Sequence, residues 1–155
     1  MKGISNSNLF IFLRKQNIPI QGVYPIDKIP SYIWKKPAFI IVVNTSPHFI
    51  KYGHFITLIK TRRKAFYIDP LPLNQNLILF EKKMRRRLVT LNTRIQAVSS
   101  NFCGGYSILF ILFYFKKPSF SLDFYTGTNE RKLMGNDYLC AKYIEWCIDN
   151  KNGEI

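Results

Sequence analysis

Along this chain, apolar positions recur in two rhythms, one suited to helices and one to strands. Leu9, Phe10, Phe12 and Leu13 give a short helix its apolar side. Ser5 or Ser7 stands where an N-cap is needed, and Arg14 and Lys15 complement the dipole in the last turn. This helix should stop before Ile18-Pro19, because proline cannot continue it. From Gln21 to Lys36, Gly22, Pro25, Pro30 and polar residues interrupt any period, so a long connecting loop held by Tyr24, Tyr32 and Trp34 is predicted. Ala38 to Asn44 is a continuous, largely β-branched run and reads as a central strand buried on both faces. Thr45 to Gly53 is a polar turn containing His48.

Two strand-like segments follow, His54 to Ile59 and Ala65 to Asp69, flanking the basic loop Lys60-Thr-Arg-Arg-Lys64. That is a hairpin pattern. With the turn centred near Arg62, His54 falls opposite Pro70 and Phe55 opposite Asp69, so His54 and Asp69 meet at the open end within about one residue of register. Pro70 and Pro72 end the second strand. Leu73, Leu77, Phe80, Met84 and Leu88 then recur at helical spacing, predicting an amphipathic helix from Asn74 to about Arg87. Leu88 to Leu91 and Thr93 to Val98 supply one more strand. A polar loop leads to Cys103, and the run Tyr106 to Phe115 reads as a buried helix stopped by Pro118. Ser119 to Arg131 is a loop, after which Asn136 or Asp137 caps a last helix that buries Leu139, Tyr143, Ile144 and Trp146. The fold class expected is α+β in one domain spanning residues 1–155. A central, mainly antiparallel sheet with the His54/Asp69 hairpin packs against a buried helix starting at Cys103 and against flanking helices.

Composition sharpens this picture. A chain of 155 residues with 47% hydrophobic residues, including 13 Phe and 9 Tyr, has the material for a packed core and is not disordered. The net charge of +14 favours polyanions: nucleic acid, an acidic partner or an anionic surface. The basic residues gather in Arg62, Arg63 and Lys64 of the hairpin loop and in Lys82, Lys83, Arg85, Arg86 and Arg87 of the helix end, which are the candidate DNA contacts. Three cysteines without framework spacing point to free thiols in a reducing compartment. Met1 to Asn8 is polar and the apolar stretch after it is broken by Arg14 and Lys15, so no signal peptide is expected. The longest apolar run is too short to cross a bilayer.

The candidate chemistry centres on Cys103. At a helix N-terminus, unpaired N–H groups and the helix dipole favour an anion, and Gly104 and Gly105 leave room for a substrate's main chain. A lone Cys before an apolar helix is by itself more often core than catalyst. An imidazole beside a carboxylate, however, is the geometry of a base with its orienting acid. His48 is the rival base, but its hairpin partner falls beyond Pro70 and Pro72, where no acid waits. Gln96 and the Cys103 N–H are two donors able to form an oxyanion hole. Cys140 and Cys147 share one face of the last helix and, with no His or Cys partner nearby, read as core residues rather than metal ligands.

In order and spacing these pieces resemble the adenovirus-type cysteine proteases, a family of DNA viruses and virus-like transposons within the wider Ulp1-like clan. Ile40 to Thr45 is similar to the strand before the family's catalytic His, and Gly53-His54-Phe55 to its Gly-x-His-Trp segment. Tyr67-Ile-Asp69-Pro70 is similar to its aromatic-x-acid-Pro segment. Gln96, six intervening residues and Cys103-Gly104 match its Gln and Cys-Gly spacing. Phe55 stands where the family has Trp, no Pro or Asn-Gly precedes Cys103, and the few cysteines do not carry over a disulfide-linked activating peptide. The resemblance implies a thiol endopeptidase with His54, Asp69, Gln96 and Cys103 as its catalytic groups. It would cut after small residues, chiefly Gly, in viral precursor or virion proteins. It further implies DNA as an activator with no cofactor required for the chemistry, a monomer as the working unit, and residence in the virion and the host nucleus or cytoplasm. Two other readings stay open: an isopeptidase acting on ubiquitin-like modifiers with the same four groups, and a basic DNA-binding virion core protein whose Cys is structural.

Overall fold

The first helix, α1 (Asn6–Lys15), begins where Ser5 accepts a hydrogen bond from the Asn8 N–H at 3.2 Å, so of the two serines Ser5 is the cap. In the computed structural model, which describes residues 4–46, 53–91 and 93–149, it is followed by a five-stranded sheet and three more helices. The strands are β1 (Gly22–Pro25), β2 (Phe39–Asn44), β3 (Phe55–Lys60), β4 (Ala65–Ile68) and β5 (Val89–Thr90), side by side in that order. The centre is antiparallel: β2 pairs with β3 and β3 with β4. Each edge is parallel, β1 to β2 and β4 to β5.

The β-branched run predicted as a doubly covered strand is one, with all of β2 buried. Alternation sends Ile40 and Val42 to one face and Phe39, Ile41 and Val43 to the other. The first face carries α1, α3 (Cys103–Lys116) and α4 (Glu130–Asp149), through Leu9, Leu13, Tyr106, Leu109, Cys140 and Tyr143. The second is closed by α2 (Leu77–Met84) and a 3₁₀ turn at Ser31–Lys35, through Phe80, Met84 and Ile33. Hence the chain is α+β, with its sheet sandwiched between helical layers. No helix among the described residues is long and apolar enough to cross a membrane.

Four local expectations are corrected. The Gln21–Lys36 stretch is not simply a loop: Gly22–Pro25 forms edge strand β1, where Pro25 is tolerated because an edge position need not donate on its outer side. The helix expected from Asn74 is shorter and begins at Leu77; Arg85 ends it in the left-handed conformation at φ 53°. Only Val89–Thr90 of the expected further strand pairs in the sheet, and the residues about Gln96 are irregular. Neither Asn136 nor Asp137 is a cap. The last helix starts at Glu130 and buries Leu133, Asn136, Asp137, Cys140, Tyr143 and Cys147, while Leu139 and Trp146 are exposed. Polar residues on the inward stripe had shifted the expected apolar face around the helix.

Candidate active site

The hairpin supplies the first half of the site. Its register pairs Thr57 with Ile68 and Leu58 with Tyr67, one residue from the pairing expected, and it still brings His54 to Asp69. Nε2 of His54 lies 2.5 Å from Oδ1 of Asp69. The carboxylate is 2% exposed and is oriented by the Leu71 N–H, which donates to Oδ1 at 2.9 Å. The His54 backbone is fixed equally firmly, because its carbonyl accepts both the N–H of Thr45 at 2.8 Å and the Thr45 hydroxyl at 3.1 Å. Beside it, a side chain at Gly53 would collide with Asn44 and Ser46, so only glycine permits this close passage. His48 lies outside the described residues.

With Nε2 committed to Asp69, the imidazole's other nitrogen, Nδ1, is the one left for sulfur. The Cys103 side chain is near enough to His54 to raise its imidazole. Its Sγ lies 3.6 Å from the carbonyl oxygen of Gly53, the residue before His54. Burial by itself would push the imidazole down. The hydrogen bonds and negative charge of Asp69 and Cys103 outweigh that and hold His54 up at about 9. The imidazolium is therefore the resting form at neutral pH. Cys103 is 6% exposed and the His54 side chain 21%, so the imidazole reaches solvent while the cysteine is nearly covered.

Cys103 is the first residue of α3, and no side chain caps that helix. The sulfur thus stands in the first turn, where N–H groups lack intrahelical acceptors and the dipole is positive. Gly104 matters here for packing: a Cβ would strike the Ile4 side chain, so the start of α3 lies hard against the segment leading into α1.

Gln96 is 1% exposed and belongs to the segment feeding α3. Its Nε2 donates to the Ser100 carbonyl at 3.1 Å, and its Oε1 is buried with no partner among the described residues. One N–H of the carboxamide is thus spent on the loop. The N–H groups of Ile95 and Gln96 both donate to the Pro70 carbonyl, at 3.1 and 3.2 Å, which ties this segment to the end of the strand bearing Asp69. The structure thus joins His54 to Asp69, brings the Cys103 sulfur to the carbonyl of Gly53 beside His54, and bonds Gln96 into the turn that precedes the cysteine. Ser100 was not singled out from the sequence, and Thr45, Gly53 and Pro70 entered only as members of motif segments, since their parts are played by main-chain atoms or by bonds across the fold.

The other two thiols differ in kind. Cys140 is raised well above the usual thiol range, first by burial and then by the charges of Asp137 and Cys147. Cys147 is raised by burial, against a weaker opposing pull from Lys116. All three cysteines are free.

The two basic stretches converge. Arg86 donates to the carbonyls of Thr61 at 2.6 Å and Arg62 at 3.3 Å, tying the end of α2 to the hairpin loop that carries Arg62, Arg63 and Lys64. An open groove of about 420 Å³ alongside is lined by Ile78, Glu81, Lys82, Arg85, Arg86 and Arg87. Arg86 is thus partly structural, spending its fork on the chain itself. Compared with the models of known protein families and with curated proteins, the sequence matches none.

Proposed function

We propose that this chain is a cysteine endopeptidase in which Cys103 is the nucleophile, His54 the base and acid, Asp69 its orienting partner, and Gln96 with the Cys103 N–H the oxyanion donors. The observation that carries the reading is a cysteine sulfur at a helix start, 3.6 Å from the carbonyl that precedes an imidazole whose Nε2 lies 2.5 Å from a buried carboxylate. An imidazolium held at about 9 is a ready proton donor at neutral pH and a counter-ion for a thiolate. The thiolate attacks the peptide carbonyl and its charge passes to the carbonyl oxygen. The second N–H of Gln96 and the Cys103 N–H stabilise that oxyanion. As the tetrahedral adduct collapses, the C–N bond breaks and the His54 proton goes to the leaving amine. Water, deprotonated by His54, then hydrolyses the thioester and restores the ion pair.

Substrates cut after Gly in viral precursor proteins, with a role in virion maturation, follow from the resemblance to adenovirus-type proteases. DNA as an activator is supported by the net charge of +14 and by the joining of the α2 end to the hairpin loop through Arg86.

A thiol-selective probe tests the chemistry. Cys103 should label fast and alone, since burial keeps Cys140 inert, and His54→Ala should slow the labelling. Hydrolysis of Gly-containing peptides should accompany it and vanish in Cys103→Ala. An unreactive Cys103 together with a salt-sensitive DNA complex would favour a core-protein role. A preference for folded partners ending in Gly-Gly over short peptides would favour an isopeptidase. Turnover unchanged by DNA at low and high salt would remove the activator and leave the protease.

A further inference from the structure

Asp137 lies within α4, 6% exposed, and does not touch the sulfur, imidazole or carboxylate described above. Its Oδ2 accepts the Ser100 hydroxyl at 2.7 Å and its Oδ1 the Tyr106 hydroxyl at 2.9 Å. Tyr106 is one helical turn past Cys103, and burial, reinforced by Asp137, pushes its phenol up, so it remains a donor. Ser100 is the busier partner. Its hydroxyl oxygen accepts the Phe102 N–H at 3.1 Å, its carbonyl accepts Nε2 of Gln96 at 3.1 Å, and its N–H donates to the Ala97 carbonyl at 3.1 Å. One buried carboxylate thus grips, through Ser100, both the Gln96 carboxamide and the backbone entering Cys103. Through Tyr106 it grips the helix those residues lead into. Asn136, its neighbour, donates from Nδ2 to the carbonyls of Ile95 and Tyr125, each at 2.8 Å, so α4 holds the segment at both ends.

We infer that Asp137 and Ser100 are positioning residues for the oxyanion donors: they set the angle of the Gln96 carboxamide and of the Cys103 N–H, and leave the His54–Cys103 pair to the hairpin. This assignment rests on the peptidase reading. The carboxylate divides its two oxygens between a serine whose other bonds all go to the turn before the cysteine and a tyrosine in the first turns of the helix that the cysteine opens. Oxyanion stabilisation is sensitive to donor angle, so loosening the turn should act on the transition state more than on substrate binding.

The experiment compares Ser100→Ala and Asp137→Asn with wild type in three readouts, after circular dichroism confirms that each variant is folded. Peptide hydrolysis should lose about 10- to 100-fold in kcat with KM within about three-fold. Alkylation of Cys103 by iodoacetamide, which needs the imidazole but no oxyanion hole, should stay within about two-fold of wild type. The ¹⁵N-labelled side-chain amide resonances of Gln96 should move toward free-amide positions. Unchanged kcat in both variants, alkylation falling in step with turnover, or Gln96 resonances that stay put would each overturn the assignment. Should wild type hydrolyse no peptide, the peptidase reading falls, while the Gln96 resonances still decide whether Asp137 and Ser100 orient that amide.

Discussion

His54 and Asp69 are held by a strand pair, whereas Gln96 and Cys103 bracket an irregular segment held by side chains of a distant helix. In the first arm, the β3–β4 ladder and the Thr45–His54 bonds next to β2 place the residues, and a register one step from that expected still let imidazole and carboxylate meet. In the second arm, Ser100, Asp137, Asn136 and the Pro70 carbonyl do the placing, and bonds within the turn are anchored by others that cross a long stretch of chain. The difference teaches that the imidazole–carboxylate pair is built on a locally encoded frame. Gln96 and the entry to Cys103, the oxyanion donors in the proposed reading, depend on a polar network completed only in the assembled fold. Such networks specify one arrangement when fully satisfied and are sensitive to the loss of any member.

Replacing the nucleophile breaks both arms at once. Cys103→Ala should reduce peptide turnover roughly 10⁴-fold or more, to background, while leaving the melting temperature close to wild type. Within the first arm, Asp69→Asn should cost on the order of 10² to 10⁴ in kcat, because the imidazole loses its orienting charge. The same variant should move the alkaline limb of the pH–rate profile to lower pH, since it removes a hydrogen bond and a charge that hold His54 up at about 9. A limb that does not move would mean that Asp69 is not what raises the imidazole. Within the second arm, Gln96→Ala should cost about 2.7 to 4 kcal/mol of transition-state stabilisation, read from kcat/KM, with Cys103 alkylation nearly unchanged. If alkylation collapses as well, the two arms are not separable.

A smaller effect is thermodynamic. His54 rises from an ordinary 6.5 to about 9 on folding. Its contribution to stability is therefore complete below about pH 6.5 and is lost as pH rises through about 9. The amount should be on the order of 2 kcal/mol after discounting for solvent at the partly exposed ring. Denaturant midpoints measured across that range should fall in wild type and stay flatter in His54→Ala. The smallest effect on activity belongs to the core thiols: Cys140→Ser should leave kcat unchanged and destabilise by about 1 to 3 kcal/mol through a buried hydroxyl with no ready partner. Loss of activity in that variant would show that the packing of α4 reaches the site more directly than the Asp137–Ser100 link.

The amino-acid order by itself determined the elements whose rules are local. One of Ser5 and Ser7 caps α1, the β-branched run of β2 is covered on both faces, the hairpin pairs His54 with Asp69, and α3 opens on Cys103. Capping, strand alternation and hairpin geometry depend on near neighbours, so spacing alone reveals them. Tertiary structure alone decided the parallel edges, the inward stripe of α4 and the bonds from the Ile95 and Gln96 N–H groups to Pro70. Asn136 and Asp137 resembled a helix cap because short polar side chains favour caps when nothing else is near. Packed against the turn that contains Ser100, they become buried acceptors and donors instead. A polar side chain's partner across the fold leaves no period in the sequence; it is set when two distant segments are pressed together and every buried donor must find an acceptor.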